Sequence, residues 1–252
     1  MRWKNNIKGE GILIDKEINI IKNYVKEYME MLKLDSFPKF EVENVKIVAN
    51  YSLAKELPSF DEYGNNIKET LYFPIELLYM DSNKYLFFHE FTHIQDSYNL
   101  SEDIYIINKG YTEYHASQIE MLPLLNIKKD NIISFSMNTQ INASGNVQTV
   151  KDYLIRKKLL VDKLFNITDF KNYDSVCFLV GVIFDYFGNL SFCEMYARDF
   201  INDIDISNWE IWLGNENIKH LTNALHGWIN DERKKYELRK MYVSLVGYLL
   251  KK

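Results

Sequence analysis

The sequence predicts an α+β protein that is mostly helical, with a small β-sheet in an N-terminal lobe and a helical C-terminal lobe. Three observations lead to this prediction. Residues 15–34 repeat apolar side chains every three or four positions, residues 40–48 mostly alternate apolar and polar side chains, and helical periodicity returns after Val150. Hydrophobic residues make up 47% of the 252 residues, which is enough for a sizeable core.

The N-terminal lobe is expected to begin with one amphipathic helix and to continue with two strands. Asp15 is a suitable N-cap, and the helix should end before Pro38, because proline disfavours helical backbone in the preceding residue. After the strand at 40–48, the Pro, Asp, Gly and Asn residues of 57–66 predict a loop or hairpin turn. A second strand is expected within 69–78, where Pro74 marks a sheet edge or a strand end.

The most informative stretch is His89-Glu90-Phe91-Thr92-His93, an H-E-x-x-H motif inside a segment, 81–109, that contains no proline or glycine. On a helix, residues i and i+4 lie about 40° apart around the axis, so both imidazoles would face one point. This spacing suits two ligands of one zinc ion, with Glu90 as a general base that reaches a water molecule. The alternative is an ordinary helix whose two histidines pair with nearby carboxylates.

A catalytic zinc ion commonly has three protein ligands and one open position, so a third ligand is required. Glu113 stands 20 positions after His93. The gap would hold the end of the first helix, a turn near Asn108–Gly110 and the start of a second helix that ends near Leu125. Glu120 is the rival candidate, because it shares a helix face with Glu113.

The His-Glu-Phe-Thr-His sequence with this downstream glutamate resembles the gluzincins, the thermolysin-like branch of the zinc metallopeptidases. The resemblance covers residues 69–121. It implies a zincin-like N-terminal lobe with the H-E-x-x-H helix, and a zinc ion held by His89, His93 and Glu113. The chain departs from the thermolysin pattern at Ser117, where that pattern has an aspartate that orients a ligand histidine. Glu120 is therefore also a candidate for this orienting role.

The resemblance has further implications for the substrate cleft. Zincins commonly hold the peptide substrate by strand addition to a sheet edge, and Leu71–Ile75 is the expected edge strand here. A His or Tyr side chain stabilises the developing oxyanion in that family. The candidates for this role in the chain are His220, His226, Tyr111 and Tyr236. The metzincin pattern is excluded, because Asp96 stands at its glycine and Asn99 at its third histidine.

The rest of the chain supports a division into two lobes. We predict a zincin-like lobe at 1–130, a polar loop or linker at 131–149 and a helical lobe at 150–252. Apolar periodicity predicts helices at 150–165, 174–187, 190–202, 217–229 and 231–250. The apolar run at 176–184 is too short to span a bilayer, so we expect a buried core helix and no membrane partner.

Composition narrows the class of protein further. The net charge is −5 and basic residues are spread along the chain, which argues against a nucleic-acid partner. The first ten residues contain no apolar signal core. Cys177 and Cys193 do not form a C-x-x-C motif, and we expect reduced, buried thiols in a cytoplasmic protein.

Together these features predict a zinc-dependent metallopeptidase that acts on a peptide or protein substrate, in intracellular processing or regulatory proteolysis. Zinc would polarise the scissile carbonyl, and Glu90 would take a proton from water and pass it to the leaving amine. The alternative is a catalytically inactive zinc-binding scaffold that binds a protein partner, although such a site would not need Glu90. Hydrolysis of a non-peptide amide or ester is a third hypothesis, since the same chemistry serves it.

Overall fold

A computed structural model describes residues 15–45, 54–128, 133–228 and 232–252. The fold is α+β, and 63% of the described residues are helical. The described residues also form a three-stranded and a two-stranded β-sheet. The predicted class, a mostly helical α+β protein with small sheets, is therefore confirmed.

The elements have the following bounds. The helices are α1 (Asp15–Leu32), α2 (Lys84–Ser97), α3 (Glu102–Leu124), α4 (Val150–Ile167), α5 (Tyr173–Tyr196), α6 (Glu210–Leu213), α7 (Asn215–Ala224) and α8 (Glu232–Leu249). The strands are β1 (Phe40–Asn44), β2 (Lys55–Phe60), β3 (Asn66–Phe73), β4 (Gln140–Ala143) and β5 (Asn146–Thr149). Short 3-10 helices lie at Ile75–Tyr79, Asp81–Asn83 and Ser207–Trp209.

The chain divides into two compact units, and helix α3 contributes residues to both. The first unit comprises residues 1–105, 119–132 and 142–147. The second unit comprises residues 106–118, 133–141 and 148–252.

The first unit contains the three-stranded sheet, whose strand order is β1-β3-β2. Strand β3 pairs in parallel with β1 and antiparallel with β2, so Leu71 lies opposite Val42 on one side and Glu56 on the other. The prediction that Leu71–Ile75 forms an edge strand is therefore wrong. Residues 69–71 are consecutively buried, as is usual for a central strand, and β3 ends at Phe73, directly before Pro74.

The segment at 57–66, predicted as a loop or hairpin turn, contains both a strand and a turn. Strand β2 runs through Pro58, which an edge strand tolerates. The turn follows at 61–65, where the Asp61 carboxylate accepts hydrogen bonds from the backbone N–H groups of Tyr63 (2.9 Å) and Asn65 (2.8 Å). Hydrogen bonds from Asn65 also lower the pKa of Asp61. The turn chemistry was thus visible in the sequence, whereas the strand before it was not.

Helix α2 is held by an aromatic cluster in the first unit. The Tyr28 ring contacts Phe88 and Phe91 edge-on, with centroid distances of 5.4 Å and 5.8 Å. Phe87 contacts Phe73 of β3 at 5.2 Å. The Tyr28 hydroxyl donates to Thr92 Oγ1 at 3.1 Å, so the polar end of this buried side chain also has a partner on α2. These contacts pack α2 firmly against α1 and β3.

The break between the second and third helices lies elsewhere than the sequence predicts. Helix α2 ends at Ser97, Asn99 has a positive φ of 65°, and α3 begins at Glu102. The expected turn near Asn108–Gly110 is wrong, because α3 continues through it. Glycine is present at position 110 for close packing: a Cβ there would lie 2.8–2.9 Å from the Tyr242 and Phe184 side chains.

The second unit is built on α5, which is one helix where two were predicted at 174–187 and 190–202. Gly188 does not break this helix. An added Cβ at Gly188 would lie 2.3 Å from the backbone oxygen of Tyr114, so the glycine allows two helix backbones to approach closely. Helix α5 ends at Tyr196, and residues 201–206 are not helical, so the last part of the second prediction is wrong.

The other predicted helices of this unit are found with small changes. Helix α4 begins at Val150 with a reciprocal capping box between Thr149 and Asp152 and ends at Ile167. Helix α7 ends at Ala224, five residues earlier than predicted, and α8 covers Glu232–Leu249.

The expected loop at 131–149 includes β4 and β5, joined at Ser144 and Gly145, whose φ angles of 52° and 83° suit a tight hairpin turn.

Helix α5 is apolar and long enough to cross a membrane by length and composition alone. However, 89% of its most apolar 18-residue window is buried inside the protein. The core helix of a globular protein has the same properties. Cys177 and Cys193 both lie on this helix, and both are buried and free, as predicted.

Candidate metal centre

Helix α2 places the two motif histidines side by side in the first unit. The ring centroids of His89 and His93 are 4.7 Å apart. A ring nitrogen of His89 lies within 4.8 Å of a ring nitrogen of His93. The separation follows from the i, i+4 spacing on a regular helix. Two imidazoles are therefore close enough to bind one metal ion, as the motif predicts.

Glu120 of α3 is the partner of His89 in this unit. Its Oε2 atom lies 2.8 Å from His89 Nδ1, and the side chains of His89 and Glu120 are only 14% and 2% exposed. This contact is shorter than the separation of about 3.3–3.6 Å between two ligand atoms of one tetrahedral zinc ion, whose bonds are about 2.0–2.2 Å each. The contact has the geometry of a hydrogen bond, in which a protonated Nδ1 donates to the carboxylate. Nε2 is then the nitrogen of His89 that suits a metal.

Glu90 points to the other neighbour of α2, strand β2. Glu90 Oε2 accepts a hydrogen bond from the backbone N–H of Glu56 at 2.6 Å. Both residues are buried, with 8% of Glu90 and 5% of Glu56 exposed. The carboxylate predicted to be the general base is thus held by a backbone donor that the sequence did not indicate.

A buried polar network supports the last turn of α2, directly after His93. The Ser97 hydroxyl lies 2.7 Å from the His93 carbonyl oxygen and 3.0 Å from Glu69 Oε1. Asn66 Nδ2 donates to the same Glu69 oxygen at 2.5 Å. This network ties the backbone of the second histidine to strand β3. The signal for Glu69 was weak, since a buried glutamate in a strand is not distinguishable by pattern from an exposed one.

Glu113 belongs to the residues of α3 that are part of the second unit. Since α3 is unbroken from Glu102 to Leu124, Glu113 and Glu120 lie two turns apart on one face of the helix. The Glu113 side chain lies beside Gly181 of α5: a Cβ added at Gly181 would make an ordinary van der Waals contact with Glu113 Oε1, at 3.7 Å. The role of Glu113 as third ligand stays a prediction.

Ser117, where the thermolysin pattern has an aspartate, has a carboxylate partner from another helix of the second unit. Its hydroxyl donates to Asp185 Oδ1, and Lys157 Nζ donates to both oxygens of Asp185 at 3.0 Å and 2.8 Å. Asp185 is 7% exposed and Ser117 is fully buried. The sequence carries no signal that Asp185 and Lys157 accompany Ser117, because residues from α4 and α5 meet α3 only through tertiary packing.

The four candidates for oxyanion stabilisation lie in the second unit in different surroundings. His226, His220 and Tyr236 are exposed, and His226 Nδ1 lies 2.6 Å from Glu194 Oε2. Tyr111 is buried; its ring is stacked on His115, and Lys235 Nζ lies 5.3 Å from its ring centroid. The catalytic roles of these residues stay predictions.

No protein-family model, no curated protein and no solved structure matches this chain. A functional assignment therefore rests on the chemistry of the residues described above.

Proposed function

We propose that this chain is a zinc-dependent peptidase of the gluzincin type, with a zincin-like N-terminal lobe. His89 and His93 would hold the ion, Glu113 would be the third ligand and Glu90 the general base. The observation that carries the proposal is the 2.8 Å contact between His89 Nδ1 and Glu120 Oε2, beside the second imidazole of His93. The contact alone would also suit an ordinary helix whose histidines pair with carboxylates, so it is the second imidazole, with its ring centroid 4.7 Å from that of His89, that favours a metal ion.

The residues present fit a zinc ion. Imidazole nitrogen and carboxylate oxygen are common ligands of catalytic zinc, and a ligand histidine characteristically donates its other N–H to a carboxylate. His89 and Glu120 have that relationship. When bound, zinc would supply a Lewis acid that polarises the substrate carbonyl and makes water more acidic.

The remaining chemistry is assigned to the side chains of the chain. Glu90 follows His89 directly and lies roughly 100° further round the helix, so it would not take the place of a histidine as a ligand. Glu90 would accept a proton from the attacking water and deliver it to the leaving amine. The aromatic contacts of α2 would keep His89, Glu90 and His93 in place during both proton transfers.

We further propose a peptide or protein substrate and a cytoplasmic location, with a role in processing or regulatory proteolysis. The two free, buried cysteines support a reducing compartment. Hydrolysis is favoured over a purely structural zinc site because a buried carboxylate base directly after a motif histidine would have no use in such a site.

The decisive experiment is the metal content of the purified protein, measured by elemental analysis beside His93→Ala. We expect about one zinc ion per chain in the natural protein and loss of the ion in the variant. His226→Ala is the matched control, because His226 is 61% exposed and paired with Glu194; it should retain zinc. The proposal is wrong if natural protein supplied with zinc binds none.

A further inference from the structure

The Glu56–Glu90 hydrogen bond joins two segments that are far apart in sequence. The backbone N–H of Glu56 donates to Glu90 Oε2 at 2.6 Å, across a sequence separation of 34 residues. Hydrogen bonds to a charged acceptor are shorter and roughly twice as strong as neutral ones. The low exposure of both residues limits competition from water. This contact is therefore suited to fixing the orientation of the carboxylate.

The sheet register determines which way this N–H group points. Strand β2 is an edge strand that pairs only with β3 in the three-stranded sheet. In an antiparallel pair, successive residues turn their N–H groups alternately toward the partner strand and away from it. Since the Glu56 N–H reaches Glu90, it points away from β3, and position 58 has the same orientation. Position 58 is a proline, so Glu56 is the sole N–H donor on the outer edge of residues 55–59.

We infer that the backbone N–H of Glu56 is a positioning group for Glu90, which holds the carboxylate of the general base in the orientation needed for proton transfer. The inference rests on the proposed function. It assigns a role to the backbone of position 56 and none to its side chain. The strand edge next to α2 then acts directly on the base, and Pro58 provides no second N–H donor on this edge within residues 55–59.

The hydrogen bond itself can be tested without metal or substrate. Amide hydrogen exchange, measured by NMR on the metal-free protein, reports the protection of the Glu56 N–H. We expect Glu90→Ala to accelerate exchange at Glu56 by roughly tenfold or more, because the variant removes the acceptor. The Leu57 N–H, which faces β3, should keep its rate, and the exposed Glu76→Ala is the control variant. Unchanged exchange at Glu56 in Glu90→Ala overturns the inference.

The functional consequence is tested with two substitutions at position 56. Glu56→Pro removes the N–H at a position whose backbone has the same orientation as that of Pro58, which β2 already accommodates. Glu56→Ala keeps the N–H and removes the side chain. With fluorescein-labelled casein as probe, we expect kcat to fall about 10- to 100-fold in Glu56→Pro, at unchanged zinc content. Glu56→Ala should stay within about threefold of the natural protein.

The outcomes separate this inference from the proposed function. An equal loss in both variants would assign the effect to the side chain, and natural activity in Glu56→Pro would show that the N–H is dispensable; either overturns the inference alone. If the natural, zinc-loaded protein hydrolyses neither casein nor a peptide library, the proposed function is wrong, and the catalytic role of this contact is wrong with it.

Discussion

Glu120 Oε2 lies 2.8 Å from His89 Nδ1, so a buried carboxylate on α3 selects the tautomer and the ring orientation of the first motif histidine on α2. The sequence left two roles open for Glu120, as third ligand or as orienting partner. The direct contact favours the orienting role, because the two atoms are closer together than two ligands of one tetrahedral zinc ion would be.

This relationship predicts a graded loss of zinc affinity at Glu120 and Glu113. Removal of an orienting partner typically lowers metal affinity by about 10- to 100-fold, so Glu120→Ala should weaken zinc binding within that range. Glu113→Ala should weaken it more, because it would remove a ligand. Competition titration with a zinc chelator measures both, with the exposed Glu76→Ala as control. If Glu120→Ala is the more damaging change, Glu120 is the third ligand.

Glu90→Gln separates metal binding from catalysis. The amide keeps an oxygen that can accept from the Glu56 N–H but cannot take a proton, so we expect full zinc content and loss of hydrolysis by at least about 100-fold. Elemental analysis and a peptide-hydrolysis assay on the same preparation make the comparison. Loss of zinc from this variant would show that Glu90 is needed for the metal site itself and would refute its role as base.

Two helical glycines should respond oppositely to alanine. A Cβ at Gly188 would lie 2.3 Å from the Tyr114 carbonyl oxygen, so Gly188→Ala should lower the free energy of unfolding by about 1–3 kcal/mol. A Cβ at Gly247 of α8 has nothing within 4 Å, and Gly247→Ala should raise stability by about 0.5–1 kcal/mol. Urea unfolding followed by circular dichroism measures both changes. Similar effects at the two sites would contradict the close packing at Gly188.

Asp162 should contribute a pH-dependent part of the stability of the second unit. Burial alone would raise its pKa, but hydrogen bonds from Lys158 Nζ (2.7 Å), Asn208 Nδ2 (3.0 Å) and Trp209 Nε1 (2.6 Å) outweigh this and lower it. A carboxyl group with a lowered pKa in the folded state stabilises the protein above its unfolded pKa of about 3.9, and this stabilisation is lost as the pH falls through the folded-state value.

The variant Asp162→Asn tests this assignment. At pH 7 we expect a loss of about 1–2 kcal/mol in the free energy of unfolding, because hydrogen bonds to a charged acceptor are replaced by neutral ones. As the pH falls through the lowered folded-state pKa of Asp162, the difference from the natural protein should shrink, since Asp162 is then protonated as well. Urea titrations followed by tryptophan fluorescence measure the difference as a function of pH. A difference that does not shrink as the pH falls from 7 into the acid range would contradict the assignment.

Features that depend on neighbouring residues in the chain were predictable from the sequence, whereas features that depend on distant residues were not. Helices α1 and α4 were placed to within a few residues, because amphipathic periodicity and capping act over one or two turns. Gly110 and Gly188 were misjudged, the first as part of a turn and the second as lying between two helices. Both are instead required by neighbouring side chains or backbone, and those neighbours come from distant parts of the chain.

The sheet shows the same limit. Residues 69–78 were correctly expected to include a strand, but its place in the sheet depends on which strands pair with it. Strand β3 is central because β1 and β2 both pair with it, and its residues 69–71, Glu-Thr-Leu, form no apolar run that would indicate a central strand. Strand β2 was not predicted, because Pro58 argued against a strand there. Only the register shows that the backbone nitrogen of Pro58 faces away from β3, where no ladder hydrogen bond is required.

If residues 89–93 are helical, His89 and His93 must lie one helical turn apart, so this part of the candidate site follows from the sequence alone. The contact of Glu120 with His89 and the contact of the Glu56 N–H with Glu90 depend on tertiary structure. These pairings depend on how α3 and β2 pack against α2. Packing of that kind is set by the fit of buried surfaces over the whole unit, and no local pattern in the chain encodes it.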